Sequence, residues 1–95
     1  MLSYVDQVKK SALPILRRYN VTRAALFGSI VRNQMKPDSD IDILVQIDSD
    51  ISLLGFVELK LELQRALKRN VDVVEYDTIK PLLSERILKE QQLIL

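Results

Sequence analysis

The chain has 95 residues, 47% of them apolar and 28% charged, and a formal net charge of +1. These values describe one ordinary globular domain with a small core, and they exclude a strongly basic, nonspecific nucleic-acid binder. There is no Cys and no His, which removes disulfides, thiolate and imidazole metal ligands and His-based catalysis, and leaves carboxylates, hydroxyls, Lys and Arg for any chemistry. No stretch approaches the ~18 apolar residues of a membrane span. The first ten residues carry charges and no signal-peptide core, so the expected location is cytoplasmic, with no membrane partner.

Ser3 to Tyr19 reads as a helix, with Val5, Val8, Ala12 and Leu16 at helical spacing and Leu13 and Ile15 broadening the face. Pro14 lacks an N–H and clashes with the preceding turn, which predicts a kink or break near Ser11 to Leu13. Lys9, Lys10, Arg17 and Arg18 read as a solvated face. Asn20 suits a left-handed helix end. Val21 to Phe27 is a short strand, Ser29 to Gln34 a short helix, Met35 to Ser39 a loop around Pro37, and Ile41 to Ile47 a strongly apolar second strand. Asp48 to Asp50 is a turn. Asp50 or Ser52 then caps a helix from about Leu53 to Arg69, ended by Asn70. Its apolar face is read as Leu53, Leu54, Val57, Leu61 and Leu67, widened by Phe56, Leu59 and Leu63. Gly55 inside it costs about 1 kcal/mol relative to Ala and permits close packing. Val71 to Tyr76 is a third strand. Pro81 opens a last helix to Gln92, with Leu82, Leu83, Ile87 and Leu88 inward, and Leu93 to Leu95 form an apolar tail. The order α-β-α-β-α-β-α argues an α/β domain, a three-stranded sheet flanked by helices. Strand direction stays open at this point.

The chemistry concentrates in Leu26 to Val45. Gly28-Ser29 follows one apolar strand and Asp40-Ile41-Asp42 opens the next, with ten residues between Ser29 and Asp40. In an extended chain Asp40 and Asp42 point to one face while Ile41 and Ile43 point to the other. Two such carboxylates can converge on one hard cation, or on two cations about 3.5 to 4 Å apart. Glycine lets the backbone turn sharply and approach a ligand, and serine at a helix start offers a cap beside N–H groups that attract phosphate. Arg32, within the first turn, matches phosphate in fork geometry. A polar turn explains Asp40 but not Asp42, an acid inside an apolar strand, which is costly unless paired or metal-bound. A calcium loop beginning at Asp38 fails, because its sixth and twelfth places hold Ile43 and Ser49.

These motifs resemble those of the minimal nucleotidyltransferases in the DNA polymerase beta-like superfamily. The resemblance rests on Gly28-Ser29, Arg32 and the D-x-D of Asp40 and Asp42, and spans nearly the whole chain. One position departs from it: Asn33 stands where the family often has Gly after the arginine. The resemblance implies a mixed sheet and a third acid, Asp72 in V-D-V, with Glu75 as the fallback on the other face. It implies that Asp40, Asp42 and Asp72 hold Mg²⁺, two ions, and that Gly28, Ser29 and Arg32 cradle the phosphates of ATP. Lys36 reads as a solvated loop lysine rather than a further phosphate contact.

The implied activity is AMP transfer from ATP to a hydroxyl of a partner protein, as the antitoxin of a pair whose toxin is a HEPN-type ribonuclease. The alternative is a non-enzymatic antitoxin subunit that neutralises by binding alone. A small-molecule acceptor is less consistent with one short domain, and RNA as the direct substrate is less consistent with near-neutral charge. The apolar tail and the helix from Leu53 to Arg69 could serve the monomer's own core or an association surface, and homodimer and heterocomplex both stay open.

Overall fold

The computed structural model describes residues 4–32, 36, 39–47, 50–78 and 81–95, without the side chains of 81–84. Within them the elements are α1 (Tyr4–Arg18), β1 (Val21–Phe27), β2 (Ile41–Ile47), α2 (Leu53–Leu67), β3 (Val71–Glu75), α3 (Pro81–Glu90) and β4 (Gln92–Leu93). Single 3-10 turns occupy Gly28–Ile30 and Tyr76–Thr78. The sheet order is β3-β2-β1-β4. β1 runs antiparallel to both β2 and β4, and β2 runs parallel to β3. The sheet is therefore mixed, as the resemblance implies.

Strand alternation sends Ala24, Leu26, Ile41, Ile43, Val45, Val71 and Val73 to one face. There they meet Val8, Ala12, Ile15 and Leu16 of α1 and Leu59 and Leu63 of α2. The helix runs through Pro14 without a break. Pro14 is exposed, and the buried α1 side chains of Val8, Ile15 and Leu16 each gain roughly 1.5 to 3 kcal/mol. Together these exceed the ~3 kcal/mol that an interior proline costs. Asn20 adopts φ 61° just after α1, the left-handed cap expected of it. Ser52 caps α2, its Oγ accepting from the Gly55 amide at 3.0 Å.

Four expectations need correction. First, Gln92, read as the last helical residue, and Leu93 of the apolar tail form a fourth strand, so the sheet has four strands rather than three. Ala25 pairs with Leu93 and Leu26 with Gln92, the Ala24 amide donates to the Leu95 carbonyl at 3.1 Å, and the Ile94 amide donates to the Ala24 carbonyl at 2.9 Å. Ile94 is buried in the core. Second, α2 turns its other face inward. Leu59 and Leu63 are buried, with Phe56 and Leu67 packed beside them, while Leu53, Leu54, Val57 and Leu61 lie exposed. Both faces of this helix are apolar, so periodicity could not choose between them. Third, α2 stops at Leu67, with Lys68 in the left-handed region at φ 56°, before Asn70 is reached. Fourth, Leu88 is exposed rather than inward, and α3 ends at Glu90. The expected turn residues Asp48 and Ser49, the loop residues Met35 and Pro37, and the side chains of Leu82 and Leu83 lie outside the description.

Ile94→Ala should lower unfolding free energy by about 2 to 4 kcal/mol, whereas Leu93→Ala should stay within about 0.5 kcal/mol. Denaturant melts check this, and equal small losses would show that the last strand is not part of the core.

Candidate active site

Parallel pairing of β2 with β3 sets Asp42 opposite Asp72, with Ile41 opposite Val71 and Ile43 opposite Val73. The flanking aliphatic residues enter the core. By alternation the two acids stand together on the opposite face of the sheet. On its other side Asp42 pairs with Phe27, the last residue of β1. The chain turns there at Gly28 with φ +80°. A Cβ at residue 28 would overlap the Asp42 carboxylate, its Oδ2 above all. Gly28 is thus required twice, by its backbone angle and by the carboxylate lying against it. Asp40 precedes β2 and is exposed.

The Gly-Ser turn differs in detail from expectation. It is a 3-10 turn of Gly28–Ile30 followed by Val31 and Arg32, not a longer helix. Phe27 holds the cap position and caps nothing with its side chain, so Ser29 lies within the turn. The Val31 and Arg32 amides both donate to the Gly28 carbonyl, at 3.1 and 3.2 Å. The amides that open such a turn have no partner inside it. What the turn offers an anion is these N–H groups, since one turn sums little macrodipole. Asn33 lies outside the described residues.

Charge confirms that the acids share one field. The Asp42 carboxyl is pushed up to about 6, first by burial, then by the charges of Asp72 and Asp40, with Arg32 opposing. Arg32 is therefore close enough to act on Asp42. Its guanidinium Nη1 also meets Glu90 Oε2 of α3 at 3.5 Å, and Glu90 Oε1 lies 3.5 Å from Arg86 Nε. Glu90 as the partner of Arg32 was not legible, because no local pattern relates two residues so far apart. Asp72 is exposed, and among the described residues no salt bridge engages it.

The donor set fits a hard divalent cation in kind: three carboxylates brought to one end of the sheet, one of them with its pKa raised by burial and by its neighbours' charge. Among the described residues, however, no three acidic side chains close into a cage. Mutual repulsion favours rotamers that keep the oxygens apart, and exposed Asp40 and Asp72 are free to turn. Glu75 sits at the far end of β3, opposite Val45, and does not join the cluster. Lys36 is exposed and takes part through its backbone: Arg69 Nη1 donates to the carbonyls of Lys36 and Ser39, each at 3.0 Å.

A mixed sheet with a Gly-Ser turn leaving β1 and a D-x-D entering β2 defines a nucleotidyltransferase. More closely, residues 10–95 match the family described as Polymerase beta, Nucleotidyltransferase, and the chain belongs to it. A candidate protein adenylyltransferase of Methanocaldococcus jannaschii is 48% identical over 86 residues, covering 90% of this chain and 92% of that protein. The protein adenylyltransferase MntA of Thermococcus cleftensis is 40% identical over 73 residues, covering 77% of this chain and 74% of that protein. A crystal structure of a toxin–antitoxin with AMP-PNP has the same fold, at TM-score 0.80 and 24% identity over 92% of this chain and 72% of that one. So does a complex of tri-AMPylated Shewanella oneidensis HEPN toxin with MNT antitoxin, at TM-score 0.72 and 22% identity over 93% and 69%.

The raised Asp42 carboxyl has a consequence for stability. Its folded value lies above its ordinary 3.8, so the folded chain holds the proton more tightly than the unfolded one. Stability is full below pH ~4 and is lost as pH rises through about 6. Denaturant melts from pH 4 to 7 should show this decline, and Asp42→Asn should remove it and be the more stable protein at pH 7. A slope unchanged by that substitution would disprove the assignment.

Proposed function

We propose that this chain is a protein adenylyltransferase that transfers AMP from ATP to a hydroxyl of a partner protein. The observation that carries this is the assembly of Asp42 with Asp72 across the parallel pair and with Gly28 across the turn. The names of the relatives support AMP transfer to protein as the reaction, and among the described residues no helix is long and apolar enough to cross a membrane.

In this reading Asp40, Asp42 and Asp72 hold Mg²⁺, two ions. When bound, the metal neutralises phosphate charge and orients the attacking and leaving oxygens. The amides of Gly28 and Ser29 face the β- and γ-phosphates of ATP, and Arg32 leaves Glu90 to pair with them. The acceptor hydroxyl oxygen attacks the α-phosphorus in line. A bond forms from that oxygen to phosphorus, the bond to the bridging oxygen breaks, and pyrophosphate departs. Asp72, exposed on the edge strand β3, would help to activate the hydroxyl by accepting its proton.

The acceptor is a HEPN-type toxin, and the chain acts as its antitoxin. A complex of MNT antitoxin with an AMPylated HEPN toxin, in a chain of the same fold, supports this.

Mixing the protein with α-labelled ATP, Mg²⁺ and a HEPN-type partner should label the partner. Asp40→Ala and Asp42→Ala should each reduce labelling by at least about 10²-fold, the scale on which loss of one electrostatic stabiliser acts. Gly28→Ala should also lose labelling, because its methyl displaces the Asp42 carboxylate. Undiminished labelling by the Asp40→Ala, Asp42→Ala double variant would refute the site. No labelling by any form, with a stable complex in all, would leave neutralisation by binding alone.

A further inference from the structure

The three acids arrive from two segments, one entering β2 and one entering β3. Something must hold those entries together against the repulsion of the carboxylates. The residue at that place is Arg69. α2 ends at Leu67, Lys68 turns left-handed at φ 56°, and Arg69 follows directly, three residues before Asp72. Its Nη1 donates to two backbone carbonyls at once, Lys36 and Ser39, each at 3.0 Å. Ser39 is the residue before Asp40. The guanidinium is half-buried and stacks over the Tyr4 ring of α1 at 5.6 Å. Beside it the Ile41 amide donates to the Asn70 carbonyl at 3.0 Å. Ser39 is tied further, its Oγ accepting from the Lys36 amide at 2.9 Å and its own amide donating to the Lys36 carbonyl at 3.0 Å. Residues 39 to 41 are therefore fastened to residues 69 and 70 on both sides of Asp40.

We propose that Arg69 is a positioning residue of the transfer site, fixing the carbonyls of Lys36 and Ser39 so that Asp40 is held within reach of the cation shared with Asp42 and Asp72. Arg69 acts through backbone placement, since what its guanidinium bonds to is the pair of carbonyls of Lys36 and Ser39 rather than any of the three carboxylates. Charge-assisted bonds to carbonyls suit this task, because a guanidinium stays protonated and its planar fork fixes direction. The inference rests on the reading of the three acids as cation ligands.

The test is calorimetric titration of Mn²⁺ into the 95-residue chain with a non-hydrolysable ATP analogue present. Arg69→Ala should weaken Mn²⁺ binding about tenfold or more, the usual effect of removing an outer-shell support. Arg69→Lys, which keeps the charge without the planar fork, should fall between it and the unaltered protein. In transfer assays the Mg²⁺ concentration for half-maximal rate should rise in parallel, and saturating Mg²⁺ should restore Arg69→Ala but not Asp40→Ala. Unaltered Mn²⁺ affinity in Arg69→Ala, or a lost rate that Mg²⁺ does not restore, would reduce Arg69 to a scaffold residue and overturn the proposal. If Arg69→Ala does not fold, Arg69→Lys decides: affinity equal to the unaltered protein overturns it, and weaker affinity upholds it. Absence of Mn²⁺ binding in the unaltered protein would instead refute the reading of the acids.

Discussion

Like charges do not gather on a protein surface unless the backbone compels them to. Here the compulsion is the parallel register of β2 with β3, which sets Asp42 beside Asp72. That register is fixed by burial. A slip of β3 by one residue would turn Val71 and Val73 out of the core and Asp72 into it. The aliphatic side chains that fill the core thus also dictate where the carboxylates stand. The cost of holding them there is visible in the Asp42 carboxyl, raised first by burial and then by the charges of Asp72 and Asp40, and the folded core sustains it.

The same constraint extends to the nucleotide turn. Asp42 lies against residue 28, so the strand that carries the acid and the turn that leaves β1 fit only if that residue has no side chain. Arg32 follows the turn and meets Glu90 near the end of α3, two residues before β4 rejoins β1. The turn, the acids and the end of α3 are therefore linked by the hydrogen-bonded strand order rather than by loop contacts alone.

Much of this was legible in the residues. Strands β1 and β2 have the bounds that their β-branched and apolar runs predict, and the cap residues Asn20 and Ser52 act as their chemistry suggests. Gly28 lies against Asp42 as the motif suggests, and Asp42 stands beside Asp72, the third acid that the family resemblance implies. What was not legible involves choices made by tertiary contact. Gln92-Leu93 is too short to show a strand period, and it is a strand only because β1 has an open edge to receive it. Pro14 carries a local penalty that buried neighbours outweigh. Ser29 has the chemistry of a cap, but the chain begins its turn one residue earlier. Arg69 sits in a run of basic residues that nothing local distinguishes from a solvated helix end.

The two-faced helix α2 has a further meaning. With apolar residues on the buried side and on the exposed side, hydrophobic burial alone barely selects its rotation about its own axis. The selection falls to polar groups. Glu62 accepts from the Tyr19 hydroxyl and from Arg18 at 2.8 Å, and Gln64 accepts from the Val71 amide at 3.2 Å. These contacts act as the teeth of a key: they add little to the depth of the energy minimum but decide which of two similar minima is the native one.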